Sequence, residues 1–109
     1  MVGISLDGWD INSFEETDWV SWGGAAGDAR SKVLGIADGF YLALIEAQPG
    51  YRGDAHEHAY PEFLSVIDGE VHNQGQTMVR GDGYAAAPGS SHTDFGTETG
   101  ATYLLVFKI

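Results

Sequence analysis

The stretch Gly50-Tyr51-Arg52-Gly53-Asp54-Ala55-His56-Glu57-His58-Ala59-Tyr60-Pro61-Glu62 decides the reading of this chain. In an extended strand, residues i and i+2 point to the same face with Cα atoms roughly 7 Å apart. His56 and His58 can therefore both reach one ion at a bond length of about 2 Å. Pro61 cannot donate to a strand ladder and biases Tyr60 towards extended geometry. This suits a bend that brings Glu62, on the following strand, back to the same ion. A second half-site is Gly81-Asp82-Gly83-Tyr84-Ala85-Ala86-Ala87-Pro88-Gly89-Ser90-Ser91-His92. Gly81 and Gly89 bracket a short strand, and His92 begins the next. Nothing local forces His92 to meet His56 and His58.

Outward from this stretch, short β-rich runs alternate with glycine turns, the pattern of an all-β barrel or sandwich. Strands are expected over Lys32–Ala37, ending at Asp38-Gly39, and over Phe40–Ala47, stopped by Pro49-Gly50. Glu62–Ile67 follows. Asp68-Gly69 between apolar runs is the strongest short-range hairpin signal in the chain, with Val71 and His72 starting the return strand. Gln76–Arg80, Tyr84–Ala87 and Thr102–Ile109 complete the series. The last is apolar on both faces apart from Lys108, so burial on both sides is expected, between sheets or at a subunit interface. The division expected is an N-terminal arm over residues 1–30, packing on the barrel, and a barrel over 31–109. The aromatics of the arm are Trp9, Phe14, Trp19 and Trp22, and Gly23–Gly27 reads as a loop.

The chain has 109 residues, enough for one domain. Five Lys plus Arg stand against 16 Asp plus Glu, a net charge of −11. Such a surface repels phosphate backbones and anionic lipid, so neither nucleic acid nor a membrane is expected as a partner. It also argues against a highly anionic substrate, although a bound cation inverts the field locally. Cysteine is absent, which excludes disulfides, thiolate metal sites and a catalytic thiol. No basic segment followed by an apolar run begins the sequence, and no apolar stretch approaches a membrane span. The expectation is a soluble cytoplasmic protein.

The two half-sites together resemble the motifs of the cupin superfamily. The first motif runs Gly, five residues, His-x-His, three or four residues, Glu, six residues, Gly. Gly50, His56, His58, Glu62 and Gly69 fall at those spacings. The second runs Gly, five residues, Pro-x-Gly, two residues, His, three residues, Asn. Gly81, Gly89 and His92 match it, while Ala87 replaces the Pro and Gly96 the Asn. The resemblance implies a cupin jelly-roll-like β-barrel of two antiparallel sheets and a metal held by His56, His58, Glu62 and His92. It also implies homodimers, formed through a sheet edge or an N-terminal arm. Within the superfamily, Pro88–His92, Gly100 and the apolar terminal strand are similar to two relatives. These are the cupin domain of ChrR-type zinc anti-sigma factors and the small dioxygenases that cleave β-diketones. The cysteine-bearing module of the anti-sigma proteins has no counterpart here.

Three neutral imidazoles and one carboxylate leave a divalent ion with a net charge of +1, and two of six coordination positions open. The expected cofactor is one divalent transition metal ion, Fe, Mn, Ni, Zn, Co or Cu, which this N/O ligand set does not distinguish. The expected function is a small metal-dependent enzyme acting on a small oxygenated or enolisable substrate, as a dioxygenase or as an isomerase, cyclase or lyase. The alternative is a non-catalytic cupin module that holds a small ligand or senses metal. Strand alternation turns Asp94 to the same face as His92, making it a candidate orienting group or general base. A bend at Gly96 would instead leave it in solvent. Tyr60 is the candidate rim residue. Tyr84, Phe40, Tyr41, Phe63, Phe95 and Tyr103 are further candidates for pocket walls, although Phe63 faces away from Glu62. His72 reads as a solvated hairpin residue. Arg52 and Arg80 read as surface ion-pair partners that could instead hold an acidic group.

Overall fold

The computed structural model describes residues 3–108, all strand and loop. The strands are β1 (Gly3–Leu6), β2 (Trp9–Asn12), β3 (Val20–Ser21), β4 (Ala29–Ala37), β5 (Phe40–Ala47) and β6 (His56–Glu57). They continue as β7 (Glu62–Asn73), β8 (Gln76–Val79), β9 (Gly83–Ala86), β10 (Ser91–His92), β11 (Phe95–Gly96) and β12 (Ala101–Lys108). Ile109, the end of the expected terminal strand, and Met1 and Val2 of the expected arm lie outside the described residues. The main sheet runs β11-β7-β12-β5-β4-β3, with β8 and β9 also paired to β7 and every pairing antiparallel. It curls into a half-barrel, all-β as the resemblance to the cupins implies.

β4 and β5 meet at a two-residue turn, Asp38-Gly39, with φ of 51° and 79°, the double positive φ that tight hairpins favour. The hairpin expected at Asp68-Gly69 is not there. β7 runs through it unbroken, and the chain reverses at Gln74-Gly75, again with two positive φ values, 50° and 78°. Gly69 instead sits beside a bulge: β12 pairs Thr102 with Asp68 but Tyr103 with Val66, leaving Ile67 extra. The extra residue changes the parity of the strand. Glu62, Leu64 and Val66 face inward before it, and Val71 faces inward after it. Only glycine fits at 69, where φ is +79° and a Cβ would lie 2.3 Å from the Gly100 carbonyl oxygen. β7 can thus leave β12 and β9 and continue against β8 and β11 at the other end of the molecule.

The core is formed by the inward faces of β5, β7 and β12: Ala43, Ile45, Leu64, Val66, Tyr103 and Leu105, with Tyr51 and Val71. β12 is hydrogen-bonded on both edges and buried on its inner face. Its outer side chains Leu104 and Val106 are only half-buried, because no second layer of described residues covers that side. The segment before β4 folds against the same barrel. Phe14 and Trp19 enclose the buried Lys32, whose ammonium donates to the Phe14 carbonyl at 2.6 Å. Farther along, Arg52 N–H donates to Ala26 O and Ala25 N–H to Arg52 O, at 2.8 and 2.9 Å. Tyr51 donates its hydroxyl to the Gly23 carbonyl at 2.8 Å. A Cβ at Gly24 would meet Arg52 O at 2.3 Å and the Tyr51 ring at 2.7 Å. This close approach lays Trp22 over the barrel mouth, edge-on to Phe107.

Candidate metal centre

The short strands β6 and β10 pair antiparallel, with His92 directly opposite His56. Opposed residues of such a pair share a face. The pairing continues past β6: His58 N–H donates to Ser90 O, and Gly89 N–H to His58 O, at 2.8 and 2.7 Å. This brings His58 inward. The ligand nitrogens of His56, His58 and His92 all lie within 4.8 Å of one another. Glu62, first residue of β7, places Oε2 3.4 Å from His58 Nε2 and 3.8 Å from His92 Nδ1. His58, Glu62 and His92 are buried, and His56 is exposed.

Each ring is held from behind by an acceptor. His56 Nδ1 lies 2.8 Å from the Asp54 carbonyl. His58 Nδ1 lies 2.9 Å from Ser90 Oγ, whose own proton goes to the Ala87 carbonyl at 2.6 Å. His92 Nε2 lies 2.7 Å from Asn73 Oδ1. A nitrogen bonded to an acceptor must carry the proton, so the other nitrogen of each neutral ring presents a lone pair. For His58 that nitrogen, Nε2, is buried with no hydrogen-bond partner. Burial holds the His92 imidazole below its usual pKa, an effect that His56 and His58 reinforce and that Glu62 and Asp94 oppose. Tyr84 donates its hydroxyl to Glu62 Oε2 at 2.5 Å. Burial first, then the Glu62 charge and this bond, push the phenol well above its usual range, so it remains a donor. Three imidazole lone pairs and a carboxylate thus converge, and Tyr84 is the donor among them. Such an arrangement repels itself in low dielectric unless a cation sits within it. The residues present fit a divalent metal ion.

Two cavities flank the cluster. The inner one, of about 170 Å³, is walled by Leu64, Tyr84, Phe95, Tyr103 and Leu105. The outer one, of about 340 Å³, is walled by Tyr60, Pro61, Phe107 and Lys108. Trp22, His56, Glu62 and Leu105 border both.

The structure therefore brings His56, His58, Glu62 and His92 together and puts Tyr60 at the rim. Asp94 is elsewhere. β10 ends at His92, so alternation does not carry through Thr93, and the exposed Asp94 accepts from Gly75 N–H at 3.3 Å on the β7–β8 turn. Tyr84, Phe95 and Tyr103 line the inner cavity; Phe40, Tyr41 and Phe63 line neither. His72 is half-buried, with Nε2 sealed from solvent. Sequence reasoning missed Trp22, Asn73 and Lys108. Asn73 is four residues past Gly69 of the misplaced turn and directly precedes the actual one, so its role depends on where the turn falls.

Fold and site define a cupin with a histidine-rich cluster suited to a metal ion. The chain belongs to the ChrR cupin-like domain family, whose model matches residues 10–108. No curated protein matches the sequence itself. Among solved structures it is similar to a protein of Methylibium petroleiphilum described as a candidate acetylacetone dioxygenase (17% identity, 99% of this chain and 81% of that one, TM-score 0.83). It is also similar to an acetylacetone dioxygenase of Acinetobacter johnsonii (16%, 83% and 67%, 0.74) and an RmlC-like cupin of Shewanella frigidimarina (21%, 99% and 94%, 0.78). At these identities the likeness is one of fold. Among the described residues, no helix is long and apolar enough to cross a membrane.

Proposed function

We propose that this chain is a small metal-dependent enzyme acting on a small oxygenated or enolisable substrate, of the dioxygenase or the isomerase, cyclase or lyase type. The observation that carries the reading is the inward convergence of three imidazole lone pairs with the Glu62 carboxylate, each ring fixed by its own outer acceptor. His56, His58, Glu62 and His92 would hold one divalent transition metal. When bound, the metal supplies Lewis acidity and, if it is iron, redox capacity.

The chain's own groups do the rest. Asp54 O, Ser90 and Asn73 orient the rings, which sharpens metal affinity. Tyr84 holds the Glu62 carboxylate. Leu64, Phe95, Tyr103 and Leu105 exclude water from the inner cavity, where charge interactions are strongest. Tyr60 and Trp22 border the approach. The likeness in fold to acetylacetone dioxygenases supports a substrate that offers two oxygens.

Metal content decides the first half of this reading. Protein purified without an affinity-column metal should carry or take up about one equivalent of metal, as one four-ligand site requires, and His58→Ala should lose it. Full retention by His58→Ala would overturn the site. Turnover of a panel of small diketones and keto acids by the loaded protein decides the second half. One equivalent of metal without any turnover would favour a binding or sensing module. A homodimer belongs to the same proposal, with a second copy covering the outer face of Leu42, Phe63, Leu104 and Val106. Sedimentation equilibrium measures it, and a monomer at all concentrations would remove it.

A further inference from the structure

The chain has five Lys and Arg side chains, and the structure accounts for four of them away from the metal centre. Arg30 pairs with Glu46 at 2.7 Å. Lys32 is enclosed by Phe14 and Trp19. Arg52 and Arg80 line neither of the two cavities. The fifth, Lys108, is in the wall of the outer cavity, which His56, His58 and Glu62 also line. Its aliphatic stem packs over Gly39, where a Cβ would lie 3.1 Å from Cε. Its ammonium lies over the Tyr60 ring, 4.8 Å from the centroid, and over Phe40 at 5.4 Å. Both distances are within the range of cation–π attraction. Among the described residues it has no salt-bridge partner.

A protein of net charge −11 repels anions in general. Yet at this mouth a fixed ammonium faces a centre that would itself carry net positive charge. Trp22, Tyr60, Phe107 and Leu105 supply an apolar, planar-sided slot between them. The opposing charges in the slot are Glu57, an exposed strand residue, and Glu62, which Tyr84 holds inside. We propose that the substrate is a small keto acid. Its neighbouring oxygens would reach the metal centre, and a distal carboxylate would pair with Lys108. The short apolar end would enter the inner cavity. The inference rests on the metal-centre reading above and adds to it the charge of the substrate and the residue that selects it.

The test uses Co(II)-loaded protein and the change in its visible absorption on binding. The two probes are 4,6-dioxoheptanoate, whose carboxylate lies two methylenes beyond its diketone, and acetylacetone, which has the same diketone without it. Wild type should bind the anionic probe more tightly. Lys108→Met should raise its Kd about tenfold, the size of one charge-assisted contact. It should leave both the acetylacetone Kd and the cobalt stoichiometry unchanged. Lys108→Arg should keep most of the preference. Equal losses for both probes, no loss for either, or an Arg variant as weak as the Met variant would overturn the proposal while leaving the metal centre intact. Failure of wild type to take up Co(II) would bring down the metal reading, and this proposal with it.

Discussion

Replacing Tyr84 by Phe removes a single oxygen and leaves the ring that packs in the inner cavity. That oxygen donates to Glu62 Oε2 at 2.5 Å, and Glu62 is only 9% exposed, so water cannot fully replace it. A hydrogen bond to a buried charged group contributes about 1.5–3 kcal/mol. An unfolding entropy of about 2.1 cal/mol/K per residue makes about 0.23 kcal/mol/K for 109 residues. The metal-free variant should therefore melt roughly 7–13 °C below wild type. Metal affinity should fall about 10- to 100-fold, as it does when a group that orients a ligand is lost. Thermal melts in chelator, followed by competition titration with Co(II), read both quantities. A melting temperature within 2 °C of wild type (about 0.5 kcal/mol) together with unchanged affinity would show that the phenol is not what holds Glu62.

Further outcomes follow from other parts of the molecule. Gly69→Ala should destabilise by about 2 kcal/mol or more, from the left-handed backbone and the approach of Gly100 O; an unchanged urea midpoint would refute the bulge. Asp94→Asn should leave metal stoichiometry unchanged and alter turnover of any substrate found by less than about twofold, since the side chain caps a turn; an inactive variant that still binds metal would return Asp94 to the chemistry. Burial is the first cause that raises the phenols of Tyr51, Tyr84 and Tyr103 above their ordinary value of 10.0. The unfolded chain therefore releases protons above pH 10 that the folded chain keeps, so stability is full below that pH and falls above it. The slope is up to about 4 kcal/mol per pH unit for three groups. Urea midpoints against pH, with phenolate absorbance, check this, and reversible ionisation of the three near pH 10 in an intact fold would contradict it.

The sequence by itself determined the class of the fold and the side-chain types of the candidate metal centre. Period-two alternation and glycine turns are local signals, so β4 and β5 were legible through Asp38-Gly39. His56-x-His58 carries its own geometry, because two residues one pleat apart must share a face. What is decided by partners was not legible. Asp68-Gly69 has the composition of a hairpin turn, yet Gly69 is glycine because Gly100 and Ala101 of a distant segment press against it. That displaced the turn to Gln74-Gly75 and hid Asn73 as the acceptor behind His92. The meeting of His92 with His56 depends on the β6–β10 pairing, 36 residues apart in the register. No local spacing encodes such a pairing. Asp94 was left open between the His92 face and solvent, because alternation holds only while a strand lasts, and β10 ends at His92. Lys108 reads as an ordinary surface charge on an apolar strand. Only the closing of β12 against β5, which sets the strand's end beside Tyr60, makes it a wall of the cavity. Side-chain type and strand period are properties of neighbouring residues, whereas a site is defined by proximity across the sheets, which exists only once the barrel has closed.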